Sequence, residues 1–154
     1  DLVTAGGVTG TVEAIGLFGT VINTPDNVHT IIGNNKVFAE TIQNYSVNPY
    51  RRVDLTATIS NAVDHRIAIA LLKERLATVP NVLATPAPDV DVLEFTAAGP
   101  KLCVRPYCRP EHYWDVYFET NRLIREAFAA AGFPAAMPAY TVTGAAAGSP
   151  LAMQ

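Results

Sequence analysis

Residues 10–46 decide the fold of this chain and read GTVEAIGLFGTVINTPDNVHTIIGNNKVFAETIQNYS. Pro25-Asp26-Asn27 and Gly33-Asn34-Asn35 carry residue types that are typical of turns. The segment from Asn34 to Glu40 has room for one helical turn. Between these breaks lie runs rich in residues that favour strands: Thr11–Ile15, Phe18–Thr24, Val28–Ile32 and Thr41–Ser46. The stretch therefore predicts a unit of short, consecutive strands.

The first 48 residues as a whole are strand-rich and carry little charge. Their glycines fall at expected turns, bends or bulges. Short strands of this kind close most naturally as a small, strongly bent barrel or sandwich of five strands. The order of glycines and strands also excludes a phosphate-binding loop, because strands rather than helices follow the glycines.

Residues 49–136 predict a second unit with the element order β-α-β-β-α. Apolar and polar residues alternate along Arg52–Ser60, which indicates a half-buried strand. Asn61 or Asp64 can cap a helix that runs to about Thr78. Val90–Thr96 and Lys101–Cys108 read as a hairpin, and Pro106 indicates an edge or a bulge near its end. This order suits a split β-α-β fold with helices on an antiparallel sheet.

A long helix is predicted over Glu111–Ala131. Gly132 is well placed to end it, and Pro134 prevents its continuation. The pattern predicts an apolar stripe formed by Tyr113, Tyr117, Ile124, Phe128 and Ala131. Ala139–Thr143 alternates weakly and predicts a last short strand, followed by a flexible tail.

Composition narrows the classes of function. Charged residues make up 16% of the chain, against roughly 25% in average soluble domains. Either other subunits cover much of the surface, or the sequence has a general bias towards alanine. The net charge of −3 and the single basic doublet, Arg51-Arg52, disfavour nucleic acid as a partner. No apolar run approaches the roughly 20 residues of a membrane helix.

Candidate chemistry is sparse. His112 lies near Glu111, Asp115 and Cys108 in sequence, but no spacing typical of a zinc site occurs. The carboxylates are isolated, and no nucleophile has a base at a recognisable spacing. Cys103 and Cys108 belong to opposite faces of a regular strand, so no disulfide is expected. The aromatic cluster of helix 111–131 has the spacing of a core or subunit interface rather than of a surface that stacks on bases. We therefore predict no enzymatic activity, no cofactor and no metal.

The order of several short motifs resembles the small-conductance mechanosensitive channel family. In the first unit these are Gly10-Thr11-Val12, Thr20, Thr24, the turn at Asp26, Asn34 and Ile42–Ser46. In the second unit they are Arg51-Arg52, Asp64, Tyr113–Val116, Arg125-Glu126 and Gly132. This chain has Asp26-Asn27 and Gly33-Asn34 where the family commonly has Asp-Gly and Pro-Asn. The family positions expected to be structurally important are Gly10, Thr24, Asn34, Asn44, Ser46, Arg52 and Gly132.

The resemblance implies an α+β fold in three parts. Residues 1–48 would form a Sm-like middle β-domain, and residues 49–136 a ferredoxin-like split βαβ domain. Residues 137–154 would form a C-terminal strand and tail. The resemblance further implies a homo-heptameric cage on the cytoplasmic side of a bacterial inner membrane, below a pore that opens under tension. Ions and small osmolytes would leave through it after hypo-osmotic shock.

Because the chain starts at Asp1 without methionine, we expect transmembrane helices upstream in the same polypeptide. Two other classes remain open. One is a ferredoxin-like regulatory domain that binds a small ligand and forms a dimer. The other is a Sm-like RNA-binding protein, which the net charge disfavours.

Overall fold

A computed structural model describes residues 1–140 of the chain. Its N-terminal region, residues 1–46, contains five strands and one short helix. In chain order these are β1 (Leu2–Ala5), β2 (Val8–Ile15), β3 (Gly19–Asn23), β4 (His29–Gly33), α1 (Asn34–Ala39) and β5 (Gln43–Asn44). The strands predicted from the sequence are therefore present, with boundaries shifted by a few residues.

These strands form one antiparallel sheet with the order β4-β3-β2-β1-β5. The register places Val3 opposite Gly10, and an irregularity between Val12 and Ala14 bends β2 beside β3. Strands β4 and β5 lie at opposite edges, so within residues 1–140 the ladder does not close into a complete barrel. A small core fills the concave face and consists of Val3, Ala5, Ile22, Ile32 and Val37.

The C-terminal region, residues 51–134, holds the predicted β-α-β-β-α order. Its elements are β6 (Arg51–Arg52), β7 (Leu55–Thr58), α2 (His65–Leu76), β8 (Asp89–Thr96), β9 (Gly99–Arg105), β10 (Tyr107–Cys108), a 3-10 turn at Pro110–His112 and α3 (Tyr113–Ala130). Strand β9 runs antiparallel between β7 and β8. This is the split β-α-β arrangement expected from the sequence.

The prediction of one continuous strand over Arg52–Ser60 is wrong. Strand β6 pairs with β10, whereas β7 pairs with β9. Pro106 separates β9 from β10 because it has no N–H to donate to a ladder. Its carbonyl oxygen accepts from the Val53 amide at 2.9 Å. The partner strand breaks at the same level, beside Asp54.

Of the two caps that the sequence allows for α2, Asn61 and Asp64, the structure uses Asp64, whose carboxylate accepts a hydrogen bond from the Arg66 amide at 2.9 Å. Helix α3 is rotated relative to its predicted apolar stripe. Its buried residues are Val116, Thr120, Ile124 and Ala127. Small and branched side chains let the helix approach β7 and α2, so the larger rings of Tyr113, Tyr117 and Phe128 lie at the margin of the core.

Gly132 ends α3 as the sequence predicts. Its φ is +69°, and its amide donates to the Ala129 carbonyl at 3.1 Å. The Phe133 amide donates to the Phe128 carbonyl at 3.0 Å, and the two phenyl rings lie 5.4 Å apart. These bonds and the ring contact make up a complete Schellman motif.

The predicted C-terminal strand is only partly within the described residues. Ala139 and Tyr140 belong to no strand in this part of the chain, and Thr141–Thr143 lie outside it. Of the helices in residues 1–140, none combines the length and the apolar character that crossing a membrane requires.

Candidate functional site

Asn34 holds the corner where β4 passes into α1. Its Oδ1 accepts a hydrogen bond from the Thr20 hydroxyl at 2.8 Å. Its Nδ2 donates to the carbonyls of Gly16 and Leu17 at 2.8 and 3.1 Å, and its amide donates to the Phe18 carbonyl at 3.0 Å. One side chain thus connects the β2–β3 turn to the β4–α1 corner. Both residues belong to the motifs that carry the family resemblance, and Thr20 is 6% exposed.

Thr24 organises the turn between β3 and β4. Its hydroxyl hydrogen bonds to the Asp26 carboxylate and accepts from the Val28 amide at 3.0 Å. The Asn27 amide donates to the Thr24 carbonyl at 2.9 Å. Asn27 has a φ of 65°, a left-handed conformation in which asparagine is the commonest substitute for glycine.

Asn44 and Ser46 fasten the start of the chain. Asn44 Oδ1 accepts from the Ser46 amide at 2.9 Å, and its Nδ2 donates to the Asp1 carboxylate at 3.1 Å. Ser46 Oγ accepts from the Leu2 amide at 2.9 Å. The segment that leaves the N-terminal region is therefore bound to the strand that begins it.

Gly10 lies where β2 passes closest to β3. A Cβ atom at this position would collide with the Asn23 carbonyl oxygen and come within 2.7 Å of Ile22 Cγ2. The site needs glycine for this close approach and not for an unusual φ.

Arg52 on β6 begins a line of charged side chains that continues through Asp54 to β9 and β8. Its Nε lies 2.8 Å from the Asp54 carboxylate, and this hydrogen bond raises the pKa of Arg52. Arg105 on β9 reaches Asp54 at 3.2 Å and Asp89 on β8 at 3.8 Å. These half-exposed side chains form a network of ion pairs that connects neighbouring strands.

Arg51 is a residue whose role the sequence did not reveal. Its guanidinium carbon lies 3.9 Å from the centre of the Tyr113 ring and 4.7 Å from that of Tyr45. The two rings are separated by 68 positions in the sequence. The only available signal was the basic doublet itself, which carries no information about distant aromatic partners.

The N-terminal region exposes an unusual amount of apolar surface. A groove of about 330 Å³ opens over its core and is bordered by Ile15, Phe38 and Ile42. Leu17 and Phe18, at the adjacent β2–β3 turn, are 84% and 83% exposed. We call the five residues Ile15, Leu17, Phe18, Phe38 and Ile42 the apolar rim. Large exposed apolar side chains beside a groove are typical of an interaction surface.

Metal ligands and thiols are the two kinds of candidate chemistry that can be placed in the described residues. No group of three or more His, Cys, Asp or Glu side chains in residues 1–140 converges to hold a metal ion. Cys103 and Cys108 are free and buried, and burial raises the pKa of the Cys108 thiol. A buried thiol with a raised pKa is a poor nucleophile.

Known proteins contain both regions in the same order. Residues 1–47 match the family described as the β-domain of mechanosensitive ion channels. Residues 55–134 match the family described as the C-terminal part of the mechanosensitive ion channel MscS. The chain belongs to the MscS family of mechanosensitive ion channels. Its family and fold are those of channels and not of enzymes.

Two MscS relatives illustrate the extent of similarity. The small-conductance mechanosensitive channel of Edwardsiella ictaluri is 29% identical over 77% of this chain. An uncharacterised MscS family protein of Archaeoglobus fulgidus is 30% identical over 77%. The chain spans 42% of the length of each of these relatives.

Solved MscS structures share the fold. Closed-state MscS of Helicobacter pylori superposes with a TM-score of 0.86 at 18% identity, over 94% of this chain and 58% of that one. MSL1 of Arabidopsis thaliana gives a TM-score of 0.71 at 17% identity, over 89% and 52%. The similarity therefore extends across both regions and the segment between them.

Proposed function

We propose that this chain is the cytoplasmic part of a channel that opens under membrane tension. The open channel releases ions and small osmolytes after hypo-osmotic shock. The observation that carries the proposal is the presence of both MscS segments in one chain, at residues 1–47 and 55–134. Transmembrane helices of the same polypeptide supply the pore, in a bacterial inner membrane.

We propose that the chain divides into three parts. Residues 1–48 form a Sm-like β-domain, residues 49–136 a ferredoxin-like α/β domain, and residues 137–154 a C-terminal strand and tail. The hydrogen bonds of Thr24, Asn34, Asn44 and Ser46, the close contact at Gly10, the Arg52–Asp54 pair and the Gly132 helix end preserve the shape of these parts. None of these seven positions handles a substrate, because their role is structural.

The proposed assembly is a ring of seven copies. The apolar rim supports assembly because it leaves Leu17 and Phe18 more than four-fifths exposed in a single copy. Burying such side chains against a neighbour is favourable by about 1.5–3 kcal/mol for each one fully covered. The low charged fraction of the chain agrees with a surface that other subunits cover.

Channel activity is tested with the complete polypeptide that contains this chain. It is expressed in bacteria that lack other tension-gated channels, and suction is applied to excised patches. We expect currents that appear with tension and increased survival of cells after osmotic downshock. A polypeptide that reaches the membrane but shows no current up to patch rupture contradicts the proposal.

Native mass spectrometry of the purified complete polypeptide tests the assembly separately. A seven-copy complex is expected. A dimer that binds a small molecule saturably would instead support the ferredoxin-like regulatory domain. A complex that copurifies with RNA would support the Sm-like RNA-binding class.

A further inference from the structure

The two regions are held together by very few contacts. Every hydrogen bond and ion pair that the structure shows within residues 1–140 joins groups on the same side of the connecting segment 47–50 or within it. Val47 in this segment is 70% exposed. An open cleft of about 430 Å³ separates Ser46 and Pro49 from Pro110 and Trp114. The backbone connection alone therefore leaves the relative orientation of the regions weakly determined.

Arg51 spans this weak junction with its side chain. Its guanidinium group packs against Tyr45 of the N-terminal region and against Tyr113, the first residue of α3. Arg51 takes part in no ion pair within residues 1–140. The two aromatic rings are therefore the partners of its guanidinium group. A guanidinium group is planar and stacks on aromatic faces, which suits it to bridge two rings.

Each of the three groups is fixed by its own region. Tyr45 donates from its amide to the Leu2 carbonyl at 2.9 Å, and its hydroxyl lies 3.1 Å from the Thr4 hydroxyl. Arg51 lies in β6, opposite Cys108 of β10. The ring of its neighbour Tyr50 meets that of Tyr107 edge-on at 5.9 Å. Tyr113 packs against the core of the C-terminal region. Because each end of the bridge is anchored within its own region, the bridge couples the orientation of one region to that of the other.

We propose that Arg51 is a positioning residue that sets the orientation of the N-terminal region relative to the C-terminal region. Tyr45 and Tyr113 supply the two surfaces on which its guanidinium group is held. Without the bridge, the regions turn about residues 47–50 and the cleft beside Trp114 changes its width. The position of the bridge matters for a channel subunit because displacement of one region then moves the other.

The experiment measures the distance between the regions in the full 154-residue chain. Spin labels are attached to Glu40→Cys and Lys73→Cys, which replace one exposed side chain in each region. Cys103 and Cys108 are buried and remain unlabelled. The labelled chain is mixed with an excess of unlabelled chain, so that distances within one copy dominate even in an oligomer. The parent chain is expected to give one narrow distance distribution by double electron–electron resonance. Arg51→Ala is expected to raise the population of displaced orientations about tenfold, because it removes both cation–π contacts.

Four further variants sharpen the test. Tyr45→Leu and Tyr113→Leu each remove one ring and are expected to broaden the distribution less than Arg51→Ala does. Arg51→Lys keeps the charge but loses the planar group, so an intermediate width is expected. The matched control is Arg52→Ala, because the partners of Arg52, Asp54 and Tyr107, both belong to its own region. Its distribution is expected to stay narrow.

Circular dichroism of each variant checks that both regions remain folded. The proposal is overturned if folded Arg51→Ala retains the parent distribution, or if Arg52→Ala broadens it equally. A distribution for Arg51→Lys as narrow as that of the parent overturns the requirement for a stacked guanidinium group. None of these measurements uses channel currents, so their outcome is independent of whether the complete polypeptide conducts.

Discussion

Single side chains with several fixed partners account for much of the shape of the N-terminal region, and Asn34 is the clearest case. Asn34→Ala removes the acceptor of the Thr20 hydroxyl and the donor to the Gly16 and Leu17 carbonyls. We expect a loss of about 2 kcal/mol in the free energy of unfolding, since a buried hydroxyl is left without its partner. Urea denaturation measures the change.

The matched control for Asn34 is its neighbour Asn35, an exposed residue of α1. Asn35→Ala is expected to change the free energy of unfolding by less than about 0.5 kcal/mol. Asn34→Asp keeps the acceptor for Thr20 but places a carboxylate against two carbonyl oxygens. It is therefore expected to restore little of the unfolding free energy that Asn34→Ala loses. Equal stability of the Asn34 and Asn35 variants would contradict the structural role of Asn34.

At Gly10 the structural requirement is steric, because β2 and β3 approach each other too closely for a side chain. Gly10→Ala places a methyl group against the Asn23 carbonyl and Ile22 Cγ2, so β2 and β3 must separate. We expect a loss of about 1–3 kcal/mol in unfolding free energy, as for other overpacked sites. Thermal unfolding followed by circular dichroism measures it.

Gly7 provides the contrast, because its φ is +79° and a Cβ atom there would meet nothing within 4 Å. Gly7→Ala therefore reports backbone strain alone, which costs about 1–2 kcal/mol. If Gly10→Ala has a higher free energy of unfolding than the parent chain, β2 and β3 accommodate the methyl group without loss of stability, and the steric role of Gly10 is contradicted.

At the scale of elements, the end of α3 is an example of a motif that local sequence specifies fully. Gly132→Ala is expected to lower the free energy of unfolding by about 1 kcal/mol, because alanine is strained at a φ of +69°. Gly132→Asn should lose less, since asparagine adopts this conformation more readily. Urea titration of the three chains gives the order Gly, Asn, Ala; an Ala variant as stable as the parent would contradict it.

Local signals predicted the elements, but not how neighbouring elements alter them. Asp64 and Gly132 mark a helix start and a helix end because their effects act within one turn. The division of the predicted strand 52–60 into β6 and β7 arises from Pro106, a residue more than 40 positions away. The rotation of α3 likewise depends on packing against β7 and α2, which the helical pattern alone does not contain.

At the scale of the molecule, the order of elements and motifs predicted both the α+β fold and the family. The Arg51 bridge was not predictable, since its aromatic partners lie 6 residues before it and 62 residues after it in sequence. The apolar rim was also missed, because its residues look like ordinary strand residues until the sheet shows which face they occupy. Features that are formed by residues distant in sequence could be identified only once the fold was known.

Assembly is the last prediction, and two substitutions on the apolar rim test it directly. Phe18→Ser combined with Phe38→Ser removes two rings that are 83% and 80% exposed. Because these rings are largely in solvent, the substitution should change monomer stability little. The double substitution should reduce the fraction of the chain that is oligomeric, measured by light scattering over a range of concentrations. The control is Phe95→Ser, a residue 82% exposed on β8; an equal loss would show that the rim has no special part in assembly.

The C-terminal segment needs a separate comparison, between the 154-residue chain and one that ends at Pro134. Pro138–Thr143 is expected to contribute to ring closure, because one short strand from each copy can pair with its neighbours and leave fewer free edges. The shorter chain should then assemble more weakly. If both chains are monomers at every concentration, these residues do not form a ring without the rest of the polypeptide. If both form the same stable oligomer, the C-terminal strand is unnecessary, and the apolar rim becomes the surface that must account for assembly.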